Sequence, residues 1–300
     1  MLQNHRFPPG QDHRFTCRAV WRERGGLSTK ASVSAVECGL SPTGLQSVVM
    51  ATDTCAPRSH VLAIETSGRL GSVALGPGPD VLEERAFNVA LNHARELLPT
   101  ISGLCRDHGV SPGQIACVCV SAGPGSFTGL RVGVTCARML ALATGAATVA
   151  VPTLEVIAQN ALAAAPRPNH VAVLLDAKRK RVYAALFRRV GGAVERYVAV
   201  DNPAEHDPGE FLARCPAGAA ILGEGVAYHR DAVEAGGRLV LPEALNAARA
   251  GVVLELGFAA WQDGQSTPPR ELTPVYVRRP EAEEVWEKRR QAECTHDGSD

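Results

Sequence analysis

The stretch SAGPGSFTGLRVGVTCARMLALATG, from Ser121 to Gly145, decides the fold of this chain. An apolar run rich in valine and cysteine, Ile115 to Val120, leads into it and reads as a buried strand. Gly123, Pro124, Gly125, Ser126, Phe127, Thr128 and Gly129 then make a loop with three glycines and two hydroxyls. Leu130 to Thr144 reads as a helix, with Thr128 or Ser126 available to cap its start and Gly145 where a C-terminal glycine belongs. Strand, glycine loop and helix in that order aim backbone N–H groups and the positive end of a helix dipole at whatever fills the loop.

The loop fits no standard phosphate fingerprint. Its glycines are spaced G-x-G-x-x-x-G, one residue longer than the dinucleotide motif, and no Lys-Ser or Lys-Thr pair follows as in a P-loop. Two readings of the glycines stay open: an anion cradle, or a tight turn that lets the helix pack closely on a sheet. On the helix, Gly129, Gly133, Ala137 and Ala141 recur every four residues and form one narrow face of small side chains. Such a face admits another helix at close range, within the domain or across an interface.

Composition bounds the possibilities. The 31 basic residues balance the 31 acidic ones, which gives no electrostatic case for a chain that grips nucleic acid by itself. An apolar share of 45% in 300 residues supports one two-lobed protein or two modest domains. The nine cysteines are odd in number and lie mostly in apolar runs, which points to reduced thiols in a cytosolic protein. Cys117 and Cys119 are expected as buried strand thiols rather than a metal pair. No apolar run reaches the roughly 18 residues of a membrane span. Residues 1–57 hold no sustained periodicity and are biased to Arg, Ser, Thr and Gly, so they read as a disordered or mis-annotated extension, with an organellar transit peptide as the other reading.

Before the central stretch, Val61 to Ile64 and Gly71 to Leu75 read as a hairpin, and Leu82 to Phe87 as a third strand. Asn92 should cap a helix whose Ala94, Leu97, Leu98, Ile101, Leu104 and Cys105 share a face, with a kink at Pro99. After it, Ala147 to Val151 is a strand and Thr153 caps a helix to Ala164. Ala165 to Pro168 marks a lobe boundary. His170 to Leu175 and Val182 to Arg188 are strands around the basic turn Lys178 to Arg181, either a solvated turn or a phosphate contact. Pro208 to Arg214, Glu224 to Ala235 and Pro242 to Asp263 are expected as helices, Ala219 to Gly223 and Arg238 to Leu241 as short strands, and Glu281 to Arg290 as a polar helix.

With these segments in place, SAGPGSFTGLRVG closely resembles the signature loop of the TsaB (YeaZ) family of tRNA threonylcarbamoyladenosine biosynthesis proteins, relatives of the glycoprotease-like TsaD proteins. VLAIETS (61–67), NHARELLPTI (92–101), LLDAKRKRVYAALF (174–187) and TPVYVRRPEAE (273–283) fit in the expected order, so the resemblance covers Val61 to Glu283. It implies an α/β, actin-like ATPase (ASKHA, ribonuclease H-like) fold with two lobes and mixed sheets flanked by helices. The lobes would be residues 58–165, which bind the partner, and a smaller 166–272, followed by a tail, 273–300. In that superfamily the first hairpin turn approaches nucleotide phosphates. This assigns nucleotide contact to Glu65, Thr66, Ser67, Gly123, Gly125, Ser126 and Asp176, with Glu65 placing a metal ion and Asp176 facing it across the cleft. The resemblance leaves open ATP or ADP with magnesium at the complex. The metal motif of the TsaD relatives, H-x-x-x-H, here reads His93 and Leu97; Glu96 lies about 100° away on the helix, so no metal site is expected and His93 becomes a capping or interface residue.

Function follows from the same resemblance. The family's complex transfers threonylcarbamoyl to the adenosine beside the anticodon of ANN-decoding tRNAs. The chain would be its non-catalytic, cytoplasmic subunit, with no catalytic residue of its own. It would pair with TsaD through His93, Leu97, Ile101, Gly129, Gly133, Ala137 and Ala141, be joined by the ATPase TsaE, and reach tRNA through the complex. A homodimer in the absence of TsaD stays open. The alternative is an ATP-dependent phosphotransferase of the actin-like superfamily, which needs a catalytic carboxylate and a bound hydroxyl.

Overall fold

The computed structural model describes residues 58–192 and 194–276. The extension 1–57 and the expected helix Glu281 to Arg290 lie outside the described residues, as do Cys17, Cys38, Cys55 and Cys294.

Strands β1 (His60–Glu65), β2 (Ser72–Gly76) and β3 (Glu83–Ala86) form an antiparallel meander. β4 (Ile115–Gly123) and β5 (Ala147–Pro152) join it in parallel, giving the order β3-β2-β1-β4-β5. Parallel neighbours need crossovers. Helices α1 (His93–Asp107) and α2 (Phe127–Thr144) supply them. Alternation along β1 sorts the two faces: Leu62 and Ile64 pack with Leu97, Ile101, Leu104, Val134 and Ala137 of α1 and α2, while Val61 and Ala63 point the other way.

That second face is shared. Helix α3 (Thr153–Gln159) packs on the second sheet, and α6 (Ala250–Gln262) on β1, β2, β4 and β5. The second sheet consists of β6 (His170–Asp176), β7 (Val182–Val190), β8 (Arg196–Ala199) and β10 (Ala220–Leu222) in the order β10-β6-β7-β8, with β9 (Ala204–His206) on β7. Both sheets belong to one compact unit, and Val171, Val173, Ala185 and Phe187 share a core with Cys117, Cys119, Val149 and Val151. The far side of the second sheet buries Phe211 of α4 (Pro208–Arg214) and Val233 of α5 (Arg230–Ala235). This is the α/β architecture of mixed sheets with flanking helices that the resemblance implied.

Five local expectations change. Helix α6 falls in the segment read as the second lobe, yet it closes the first sheet; its Gly257 lets Cys119 lie against the helix. The long helix expected from Pro242 is a 3₁₀ turn, Glu243–Leu245, then an irregular link before α6. Tertiary partners take the link's polar groups: Asn160 Nδ2 donates to the carbonyls of Leu245 and Ala247, and Asn246 Oδ1 accepts from Gly223 N–H. The helix expected over Glu224 to Ala235 breaks at His229, whose φ of −127° leaves the helical range. Neither Asn92 nor Thr153 caps a helix through its side chain. Asn92 follows Leu91, at φ 62°, and has ψ 32° rather than the extended value that aims a cap oxygen, while Pro152 occupies the extended position before α3. Helix α1 runs unbroken through Pro99.

Candidate functional site

The glycine loop is folded against the first hairpin by hydrogen bonds from both sides. Ser126 caps α2, its Oγ accepting from Gly129 N–H at 3.3 Å, and its own N–H donates to the Ser67 carbonyl at 2.7 Å. Thr66 Oγ1 donates to the Gly129 carbonyl at 2.9 Å. A Cβ on Gly129 or Gly133 would fall on Thr66, so these glycines are what lets the helix rest on the end of β1. Gly145 ends α2 in the left-handed conformation, φ 70°, as its position predicted.

Glu65 lies beneath this junction and is fully buried. Its Oε1 accepts from Ser67 N–H and Oγ, both at 2.5 Å, and its Oε2 accepts from Ser121 Oγ. Burial pushes its carboxyl above the usual carboxylate range, against the opposing pull of Ser121 and Ser67. Glu65 therefore ties β1, its turn and β4 together from inside.

Above the junction opens a cavity of about 470 Å³. Ser67, Gly125 and Ser126 line one side, Asp176, Lys178 and Tyr228 the other, and Thr153 is a polar lining residue among Ile157, Leu175 and Ala248. The Thr153 hydroxyl is buried with no partner among the described residues. Asp176 is held by its own turn: Lys178 Nζ lies 2.9 Å from Oδ2, Lys178 N–H donates to Oδ1 at 3.2 Å, and His229 Nε2 stands 3.4 Å from Oδ1. Partial burial raises the Asp176 carboxyl, and Lys178 outweighs it, leaving the group below its ordinary range. Lys178 also sits over the Tyr228 ring, whose hydroxyl meets Arg69. Lys178, Arg179 and Lys180 all have positive φ, so the basic turn is a tight left-handed one made without glycine.

The chain after α6 crosses the loop from the opposite side. Leu272 is buried in the core under α1 and α2, and Val275 N–H donates to the Ala122 carbonyl at 2.7 Å. The Val275 carbonyl lies where a Cβ on Gly123, itself at φ 120°, would come within 2.6 Å. The Tyr276 ring packs on Phe127 at 5.1 Å between centroids, and Arg131 Nε donates to its hydroxyl at 3.1 Å.

A family model described as TsaD, tRNA N6-adenosine threonylcarbamoyltransferase, matches residues 87–229. The chain is 29% identical over 232 residues to the tRNA threonylcarbamoyladenosine biosynthesis protein TsaB of Bacillus subtilis, covering 75% of this chain and 97% of that protein. An uncharacterized protein of Mycobacterium tuberculosis is 31% identical over 75% of this chain and 94% of its own length. The solved structure of YeaZ from Pseudomonas aeruginosa superposes with a TM-score of 0.63 at 27% identity, covering 73% of this chain and 99% of that one. The chain belongs to the TsaB (YeaZ) family.

The nucleotide-contact residues implied by the TsaB resemblance divide by whether they reach the cavity. Ser67, Gly125, Ser126 and Asp176 line the cavity. Glu65 and Thr66 do not: both are sealed below it, their side-chain oxygens already engaged. Gly123 lies under the Val275 carbonyl. A magnesium-bound nucleotide does not fit this donor set, because Glu65 has both oxygens filled by hydroxyl and amide donors and Asp176 already carries the Lys178 ammonium.

The residues expected at a partner interface lie on the inner sides of α1 and α2. His93, Leu97, Ile101, Gly129, Gly133, Ala137 and Ala141 all face the chain's own core. His93 Nε2 pairs with the Gly68 carbonyl at 3.0 Å, and the small-residue stripe serves the helix's contact with Thr66 and β1. The outer faces of the same helices instead expose Leu98 (59%), Met139 (62%) and Leu142 (52%). Arg69, Tyr228 and the Val275–Tyr276 crossing were not identified from sequence, since nothing in their spacing links them to the loop.

Proposed function

We propose that this chain acts in tRNA threonylcarbamoyladenosine biosynthesis as the non-catalytic subunit that binds and activates TsaD, in a complex that TsaE joins and through which tRNA is reached. The observation that carries the reading is the outer face of α1 and α2: Leu98, Met139 and Leu142 are more than half exposed on helices whose opposite faces are fully used by the core. Large exposed apolar side chains on a rigid helix pair are what a helix-packing partner covers. The catalytic alternative loses support from the same structure, because a phosphotransferase needs a free carboxylate at the cleft and Glu65 and Asp176 are both engaged. Among the described residues no helix is long and apolar enough to cross a membrane.

Mixing with the TsaD protein of the same organism, with mass read by light scattering during size exclusion, tests the reading. A 1:1 complex is expected. Met139→Arg should weaken it at least tenfold with the melting temperature unchanged. A complex that ignores Met139→Arg and Leu98→Asp would remove this face from the interaction, and no complex at all would overturn the proposal.

A further inference from the structure

Two unlike charges border the cavity above the glycine loop without being used by the fold. Arg69, in the first hairpin turn, has one bond for its guanidinium among the described residues, to the Tyr228 hydroxyl at 3.4 Å. Glu224 has neither a hydrogen bond nor an ion pair for its carboxylate among them. Its place is fixed by packing. Gly223, at φ 111°, and Gly225 both press on Leu174, where any Cβ would fall on backbone, so the turn after β10 rests on the end of β6. Glu224 is thereby set against the hairpin turn, its Oε1 3.2 Å from where a Cβ on Gly68 would stand. Partly buried charges are ordinarily paired. These two line one cavity, on adjacent parts of one turn, and do not meet. The other charges of the lining cancel, because Asp176 holds the Lys178 ammonium.

Two neutral groups of the same lining are also left over. Asn246 gives its Oδ1 to Gly223 N–H, and its Nδ2 has no acceptor among the described residues. Thr153 is 1% exposed, with its hydroxyl unpartnered beside Ile157, Leu175 and Ala248. A buried hydroxyl without a partner is destabilising, and a bound molecule carrying a hydrogen-bonding group relieves it. Ser126 and Phe127 bring the start of α2 to the lining, where the first N–H groups of the helix lack an intrahelical acceptor and favour a carboxylate.

We infer that this cavity of about 470 Å³ binds a free α-amino acid. Its carboxylate lies between Arg69 and the start of α2, its ammonium meets Glu224, and a small side chain packs on Ile157, Leu175 and Ala248 within reach of the Thr153 hydroxyl. A simple anion would leave Glu224 unpaired, and a simple cation would leave Arg69 so. A zwitterion answers both, and the short separation along one turn suits an ammonium and a carboxylate on one carbon. The cavity is within the size range of small-molecule sites. The inference concerns the chain alone and holds or fails independently of any contact with TsaD.

Isothermal titration of the full chain with the standard L-amino acids, one at a time, tests it. At least one with a small side chain should bind saturably at a single site. Its N-acetyl and carboxamide derivatives, each lacking one charge, should bind at least tenfold more weakly. Arg69→Gln and Glu224→Gln should each raise Kd at least tenfold at an unchanged melting temperature. Thr153→Val keeps the shape and removes the hydroxyl, so the free variant should melt higher than the wild type and bind at least threefold more weakly. No saturable binding by any amino acid at millimolar concentration would overturn the inference. So would an affinity that ignores any of the three substitutions, or a site that takes inorganic phosphate and rejects amino acids.

Discussion

Two hairpins face each other across the cavity, and each ends its first strand on a carboxylate: Glu65 on β1 and Asp176 on β6. Their chemistry has gone in opposite directions. Glu65 is buried, satisfied by hydroxyls and an amide, and pushed toward its neutral form. Asp176 borders the cavity, carries a lysine ammonium and is pushed toward its ionised form. The first carboxylate has become part of the core, and the second part of a turn. Position at a strand end did not determine either role; the number of donors around each group and its access to water did.

The largest expected effect breaks the buried side of this comparison. Glu65→Ala leaves Ser67 and Ser121 without their acceptor and opens a cavity in the core, so chemical denaturation should show a loss of about 3–5 kcal/mol. Gly133→Val strikes the same junction from the helix, where the new Cβ would fall on Thr66 Oγ1. A loss of roughly 2–4 kcal/mol is expected from overpacking and from the β-branched residue in a close contact; a neutral result would mean that the helix can lift off β1.

Between these and the smallest effect lies a dependence on pH. The folded Glu65 carboxyl is raised above its unfolded value, so its contribution to stability is complete below the ordinary pKa near 4.5 and is lost as pH rises through the folded value. Asp176 has the opposite sign: its contribution is present above the ordinary 3.8 and is lost as pH falls through the depressed folded value. Urea unfolding from pH 4 to 8 should therefore show the wild type losing ground to Glu65→Gln as pH rises. A constant difference between the two would indicate that Glu65 is ionised in the fold. Asp176→Asn sharpens the other side with the smallest effect. Its lysine partner is 80% exposed, so the pair contributes under about 1 kcal/mol after solvent screening, and the melting temperature should fall by no more than a few degrees.

Much of the scaffold was legible before the structure. The alternation of β1, the apolar run of β4, Ser126 as cap and Gly145 as terminator all express local rules, in which one residue's backbone preference decides its own conformation. The expectations that changed were decided at a distance. Nothing near Pro242 stops a helix, but Asn160, more than eighty residues earlier, draws off the carbonyls of Leu245 and Ala247. The small-residue stripe was visible as a packing face, yet which of the two possible neighbours it met depended on where Thr66 arrived.

The sequence by itself determined the strands, the glycine loop, the helix that follows it and the family, because periodicity, capping chemistry and motif order are written in neighbouring residues. Only the tertiary structure decided which polar groups remain free. Glu65, Thr66 and His93 are ordinary site residues on paper, and each is enclosed once β1, β4, α1 and α2 close around it. Met139 and Leu142 look like core residues in a helix, and they stand outside because the helix turns its smaller side chains inward to let two backbones meet. Burial depends on the whole assembly of elements, and no single stretch of chain contains it.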